Sequence, residues 1–267
     1  MKNKTIKRLI PIFLLFIFAC GHSLSENNTY GIIKPSDYLS GRFKAQNFLH
    51  KKGIVSKKNI FVELNAFGIK TDGRKHYLRL DTAINLKRML AAFKKDHPTI
   101  KIWIQSATRS FYSQKWIWEA KFNGKRLVDG KNLKKTIKNH RLRALKILNY
   151  SSMPGTSRHH WGTDFDINRL NNSYYKKGKG KIIFKWLKAH GSTYGFGQPY
   201  TAGRKLGYLE ERWHWSYLPL SKIFLKDWVE LFKKNPKLLV IPGSYAGSTA
   251  SANLASLYVT SISPSCK

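Results

Sequence analysis

The sequence predicts a domain of mixed helices and strands, on three observations. Short alternating stretches rich in Ile, Val, Phe and Trp have the two-residue period of strands. Longer stretches carry apolar residues at three- and four-residue steps, the period of a helix buried on one face. Hydrophobic residues make up 42% of the 267, and aromatics 13%, which suffices for a real core in one large or two small domains.

The first elements lie ahead of that domain. Residues 1–8 are basic, with Lys2, Lys4, Lys7 and Arg8, and residues 9–19 are an apolar run broken only by Pro11. That is the charged region and apolar region of an export signal. The run is shorter than the roughly 20 apolar residues a bilayer span needs. Ile17-Phe18-Ala19-Cys20 resembles a bacterial lipobox, although Phe18 is bulkier than usual there. The chain is therefore expected to be exported to the cell envelope or periplasm. It would be anchored through a lipidated Cys20, cleaved in the ordinary way, or retained on its signal. Residues 1–26 are set aside from the fold, 27–240 form the domain, and 241–267 form a tail.

Within the domain, Pro35-Ser36-Asp37 starts a helix running to Leu49. Residues 59–65 read as a strand. Residues 76–97 carry Leu78, Leu80, Ala83, Leu86, Leu90 and Phe93 and read as an amphipathic helix ended by Pro98. Residues 100–105 alternate as a strand. A turn at 106–110 leads into a helix that begins near Ser110 and holds Gln114, Trp116 and Trp118. Asp129-Gly130 marks a turn, 139–150 a basic amphipathic helix, and Pro154-Gly155 a loop. In the strand expected at 165–168, Phe165 and Ile167 face the core while Asp164, Asp166 and Asn168 face the other way. A polar loop at 170–180, a helix at 182–190 stopped by Gly191, and a helix at 227–232 complete the domain. From Ile241 onward Ser, Ala, Gly and Thr dominate and only Lys267 is charged, so a poorly packed tail is expected, with 254–259 available as an edge strand.

Charge narrows the partners. Lys and Arg number 49 against 14 acids, a formal net charge of +35. Such a surface either sits on something anionic, such as an acidic wall polymer, anionic lipid or nucleic acid, or is simply solvated. The basic residues are spread over 51–58, 125–146 and 176–188, with no single stripe. The export signal and the lack of any nucleic-acid motif argue against a specific nucleic-acid partner. Cys20 and Cys266 are the two cysteines, which excludes a disulfide framework and a Cys-based metal site. The scarce acids are more telling. Asp164, Asp166, Glu210 and Glu211 all fall in or beside two short motifs, residues 157–166 and 211–215.

Those motifs hold the chemistry. His159, Asp166 and His214 can close three corners of a zinc tetrahedron, leaving the fourth open for water. Read singly, His159 and Asp166 suit a surface imidazole and a salt-bridged acid, and His214 suits a hydrogen-bonded core residue. Glu211 is free to act as the base that takes a proton from zinc-bound water and passes it to a leaving amine. Strict alternation would place Glu211 and His214 on opposite faces, so the backbone must turn or bulge near Arg212. Arg109 can supply positive charge to an oxyanion or clamp a substrate carboxylate, or be one more basic residue.

Ser157-x-His159-x-x-Gly162-x-x-x-Asp166 resembles the signature of the zinc D-alanyl-D-alanine carboxypeptidases and dipeptidases, the VanY-like group. Glu211-x-Trp213-His214-Trp215 is similar to their E-x-W-H-aromatic motif, and Arg109-Ser110 with Gln114 to their R-S-x-x-x-Q segment. The likeness spans roughly residues 80–217. It implies an α+β fold of the hedgehog/DD-peptidase type, an antiparallel sheet flanked by helices. It implies zinc on His159, Asp166 and His214, Glu211 as catalytic base, Arg109 at the oxyanion or the substrate carboxylate, and Ser157 and Gln114 as further substrate contacts. The activity implied is removal of the terminal D-Ala from peptidoglycan stem peptides. An L,D-carboxypeptidase or endopeptidase on the same site, or a non-catalytic wall-binding protein, are the alternatives. Two positions depart from the pattern. Asp164 stands where a small apolar residue is usual, and is a candidate partner for a ligand His. Thr108 stands where an aromatic is usual. His160 and Glu210 are expected to be bystanders.

Overall fold

The structure is a computed structural model that describes residues 61–240 and 243–267. The expected export signal, Cys20 and the helix at 35–49 lie outside the described residues.

Strands β1 (Phe61–Glu63) and β2 (Tyr77–Arg79) form an antiparallel pair, with Phe61 opposite Arg79. Helix α1 (Leu80–Asp96) follows at once. The expectation of a helix from residue 76 is corrected here: residues 77–79 are drawn into the ladder with β1, because a short apolar run suits either period and the pairing partner decides. The expected helix at 139–150 forms as α3 below, and the one after Ser110 forms as α2 (Phe111–Phe122), where Ser110 accepts a hydrogen bond from Ser113 N at the cap.

The larger sheet contains β3 (Ile104–Ser106), β4 (Asp164–Ile167), β5 (Phe196–Gly197) and β6 (His214–Tyr217) in the order β3-β4-β6-β5, all antiparallel. The strand expected at 100–105 joins the ladder only from Ile104. Helices α3 (His140–Leu148), α4 (Gly178–His190), α5 (Leu218–Lys234) and α6 (Ala255–Thr260) surround the sheet. This is the antiparallel sheet flanked by helices expected of the α+β class. Helix α4 starts four residues earlier than expected, within the stretch read as polar loop, and α5 starts nine residues before 227 and ends two after 232.

The register of β4 against β6 organises the interior. Asp166 lies opposite His214, Phe165 opposite Trp215, and Asp164 opposite Ser216. Alternation then separates two faces. Phe165, Ile167 and Trp215 enter the core with Leu78, Leu86, Met89 and Phe93 on one side and Ile183 and Leu187 on another. Asp164, Asp166, His214 and Ser216 share the opposite face, directly paired across the two strands. These polar residues are also buried, because the segment 157–163 folds over them.

That segment contains a 3-10 turn, Arg158–Trp161, ended by Gly162 at φ 72°. A Cβ at Gly162 would meet Phe61 Cε1 at 2.5 Å, so only glycine fits both the left-handed backbone and the space. Gly162 O accepts from Arg79 N at 3.0 Å, tying the turn to β2.

The C-terminal segment is a correction. Residues 255–260 are helical, and Leu254, Ala255, Tyr258, Val259, Ile262 and Cys266 are buried. Trp118 Nε1 donates to Ala246 O at 2.8 Å, Ala246 N donates to Glu119 Oε1 at 3.0 Å, and Ser263 N donates to Pro199 O at 2.8 Å. Small residues here allow close packing against the aromatic face of α2: a Cβ on Gly247 would lie 2.3 Å from Phe122 Cε2. Low charge thus marks burial, and the segment is not a loose tail.

Candidate metal centre

Three elements deliver the expected donors. His159 comes from the 3-10 turn, Asp166 from β4 and His214 from β6. Their ligand atoms all lie within 4.8 Å of one another, and all three residues are buried. His159 Nε2 is 3.3 Å from Asp166 Oδ2, and His214 Nδ1 is 3.0 Å from Asp166 Oδ1. Two donors each about 2 Å from one tetrahedral zinc stand about 3.3 Å apart.

Each ring is held by its other nitrogen. His159 Nδ1 donates to Ala107 O at 2.8 Å, which leaves Nε2 as a lone pair. His214 Nε2 donates to Asp164 Oδ2 at 2.9 Å, which leaves Nδ1. Asp166 Oδ1 is buried, and its polar neighbour at the site is His214 Nδ1. Two imidazole nitrogens and one buried carboxylate converging within 4.8 Å of one another fit a divalent ion, and the N2O donor set suits zinc.

Electrostatics agree. Burial lowers the His159 pKa to about 4, so its ring is neutral and ready to ligate. Burial raises Glu211, aided by Asp166 and opposed by His214, Arg109 and Lys121, and the net effect pushes its carboxyl up to about 7. For His214, burial works downward, but the hydrogen bonds and charges of Asp164 and Asp166 prevail and raise it to about 9. Below that pH the ring carries a proton that must leave before Nδ1 can ligate. Zinc uptake at pH 7 is therefore expected to release about one proton per ion, with affinity falling about tenfold per unit of acidification. Calorimetry in buffers of different ionisation enthalpy measures both.

Glu211 reaches the site because the backbone turns, as its position relative to His214 required. Residues 212–213 form a turn, His214 N donates to Glu211 O at 3.3 Å, and Glu211 Oε2 lies 3.5 Å from His214 Nδ1. Glu211 is held by its backbone as well, donating to Tyr200 O at 2.9 Å. Arg109 Nη2 lies 3.6 Å from Asp166 Oδ2, and Arg109 Nη1 donates to Gln114 Oε1 at 2.8 Å. Arg109 Nε is buried with no partner among the described residues.

Ser157 and Gln114 differ from the direct substrate contacts expected of them. Gln114 is wholly buried, and its amide is used up by Arg109 and by Ser152 O, to which it donates at 2.7 Å, so it acts through Arg109. Ser157 is buried at the start of the 3-10 turn that carries His159. His160 is a structural residue: its Nε2 accepts from Gly155 N at 3.1 Å and its Nδ1 donates to Arg109 O at 2.7 Å. Glu210 pairs with Arg212 at 3.1 Å.

Asp164 is the departure with the clearest structural role. Besides His214 it accepts from Arg158 Nε at 2.9 Å, Thr163 Oγ1 at 2.6 Å and Ser216 Oγ at 2.8 Å. Arg158 and Asp164 are almost wholly buried. Arg158 was not singled out from the sequence; the signal was an acid at 164 that needed a buried cation nearby. Thr108 turns its hydroxyl to Tyr77 O at 2.5 Å.

The centre opens into a cleft of about 660 Å³, lined by Arg109, His159, Asp166, Glu211, His214 and Tyr200 among others. A chamber of that size accommodates a short peptide.

Comparison with known proteins places this arrangement. Solved structures similar to this chain include VanYB in complex with D-alanine-D-alanine, at 18% identity over 62% of this chain and 88% of that one, TM-score 0.45. They also include the LdcB LD-carboxypeptidase, at 22% identity over 66% and 78%, TM-score 0.46. DacB from Streptococcus pneumoniae D39 is similar at 22% identity over 56% and 72%, TM-score 0.39. No curated protein matches. The family model VanY, D-alanyl-D-alanine carboxypeptidase, matches residues 75–220, a span that holds Arg109, both histidines, Asp166 and Glu211. That match covers more than half of the sequence, and the chain belongs to the VanY family of D-alanyl-D-alanine carboxypeptidases.

Proposed function

We propose that this chain is an exported zinc D,D-carboxypeptidase that removes the terminal D-Ala from peptidoglycan stem peptides. The observation that carries the reading is the convergence of His159, Asp166 and His214 on one point, with Glu211 beside them in an open cleft. Zinc, when bound, polarises the scissile carbonyl and lowers the pKa of its water to about 7.

The chain's own residues supply the remainder. Glu211, with a pKa near neutrality, accepts a proton at its carboxylate and returns it to the departing amine. Arg109, held by Gln114, presents a fixed guanidinium to the negative charge that develops on the carbonyl oxygen or to the substrate carboxylate. Asp164 fixes the tautomer of His214, and Ala107 O that of His159. Burial of His159, Asp164, Asp166, Glu211 and His214 keeps bulk water from screening them.

The apolar run at 9–19 and Cys20 support export, with lipid anchoring at Cys20 as its form. The net charge of +35 supports residence against anionic wall polymers or membrane. The test is incubation of the zinc-loaded protein with a stem pentapeptide and, separately, a tetrapeptide. Free D-Ala and a product shorter by one residue from the pentapeptide are expected. Release from the tetrapeptide alone assigns L,D activity, and no release from either overturns the peptidase reading.

A further inference from the structure

One buried cation in the cleft has so far entered only through its charge on Glu211. Lys121 lies on α2, is 8% exposed, and lines the same cleft as Arg109 and Glu211. Its Nζ donates to Ser151 Oγ at 2.5 Å, and no carboxylate stands within ion-pair distance of it among the described residues. Arg126, also on the cleft wall, is exposed and has no side-chain partner among the described residues.

The acids of the cleft are all engaged elsewhere. Asp166 faces the two histidines, Glu211 lies against His214, Glu210 is held by Arg212, and Asp129 is held by Lys146 at 2.5 Å. A lysine ammonium buried against one neutral hydroxyl is costly unless an anion completes it. Burial, with Arg126 next, pushes its pKa down to about 8, and the opposing charges of Glu211 and Asp129 do not offset that.

Placement says what that anion is. Lys121 stands seven residues after Gln114, the residue that holds Arg109, two helical turns along the same face and about 10 Å along the axis from it. Helical side chains lean back toward the N-terminus, here toward Arg109. An extended peptide advances about 3.3–3.6 Å per residue, so the rise of about 10 Å between Gln114 and Lys121 matches about three residues of peptide.

We propose that Lys121, with Arg126 beside it, is a second carboxylate-binding point of the cleft, gripping a substrate carboxylate away from the scissile bond. The proposal rests on the peptidase reading for the identity of the ligand. Two sources share the chemistry: the C-terminal carboxylate of the peptide, and a free carboxylate on an interior residue. Ser151 orients the ammonium, and the 151–156 loop that carries it also holds Gln114 through Ser152 O. Both cationic points are thereby referenced to one loop.

The experiment uses the full chain loaded with zinc, in a Glu211→Gln background that prevents turnover. Calorimetry measures binding of a stem pentapeptide, the same peptide with its interior carboxylates amidated, and free D-alanine. Lys121→Met is expected to weaken the pentapeptide about 10- to 100-fold, the range of a lost charge-assisted contact, with zinc stoichiometry unchanged and Lys121→Arg recovering most of it. Loss of the Lys121 effect on amidation assigns the interior carboxylate. A parallel weakening of D-alanine assigns the C-terminal one. Should Lys121→Met not fold, Arg126→Gln at the surface is the second variant, with a smaller loss in the same direction. Unchanged pentapeptide affinity in folded, zinc-loaded variants overturns the proposal. Because binding is read directly, the result stands apart from whether wild-type chain hydrolyses the peptide.

Discussion

Replacing Glu211 by Gln is expected to lower D-Ala release by about 100- to 10,000-fold, the usual worth of a general base, while one zinc still binds per chain. Glutamine keeps the shape of the side chain and its fit beside His214 but cannot take a proton. Its removal leaves the three donors His159, Asp166 and His214 intact. Steady-state rates on a stem pentapeptide, together with metal content by elemental analysis, check both halves. A chain that keeps full activity with Gln at 211 would show that the base lies elsewhere, or that the buried carboxyl serves only to hold the turn at 212–213. Loss of zinc along with activity would show that Glu211 is a ligand and not a base.

Asp164→Ala is expected to have the second large effect, and on two quantities at once. Zinc affinity should fall about 10- to 100-fold, because His214 loses the acceptor that fixes its ring. Folding stability should fall by about 3–5 kcal/mol, because Arg158 is left charged and buried with its ion-pair partner gone. Asp164→Asn keeps an acceptor for His214 and most of the shape, so its loss of affinity should be smaller. Metal competition with a chelator and denaturant unfolding of the zinc-free chain separate the two contributions. If Asp164→Ala binds zinc as the parent does, the ring is oriented by packing against Tyr200, 4.7 Å away between centroids, and not by the carboxylate.

The site was more legible in the sequence than the fold that carries it. Metal donors must be His or an acid, and in a chain with 14 acids the few clustered ones stand out. Even the conflict between Glu211 and His214 was readable, since alternation demanded a turn and the turn is there. What escaped notice depends on contacts remote in sequence. Residues 77–79 look helical until Phe61 and Val62 are available to pair with them. Gln114 reads as a substrate contact until Ser152 and Arg109 are seen to occupy its amide. Lys121 is one lysine among many by composition, and only its burial sets it apart. The segment from Ile241 reads as a poorly packed tail because its residues are small and almost all uncharged, yet small and uncharged is also what fits against Trp118 and Phe122.

That last segment bears on where the working unit ends. Helix α2 presents Gln114 and Lys121 toward the cleft side and Trp118 toward residues 244–247, and Lys115 Nζ reaches Ser244 O at 2.8 Å. The stretch beyond residue 240 is therefore a buttress behind the helix that braces Arg109. A fragment trimmed to residues 75–220 would keep every metal donor and lose this rear support, along with β1, whose Phe61 packs beneath Gly162. The packed body around the site is larger than the stretch that carries the family signature.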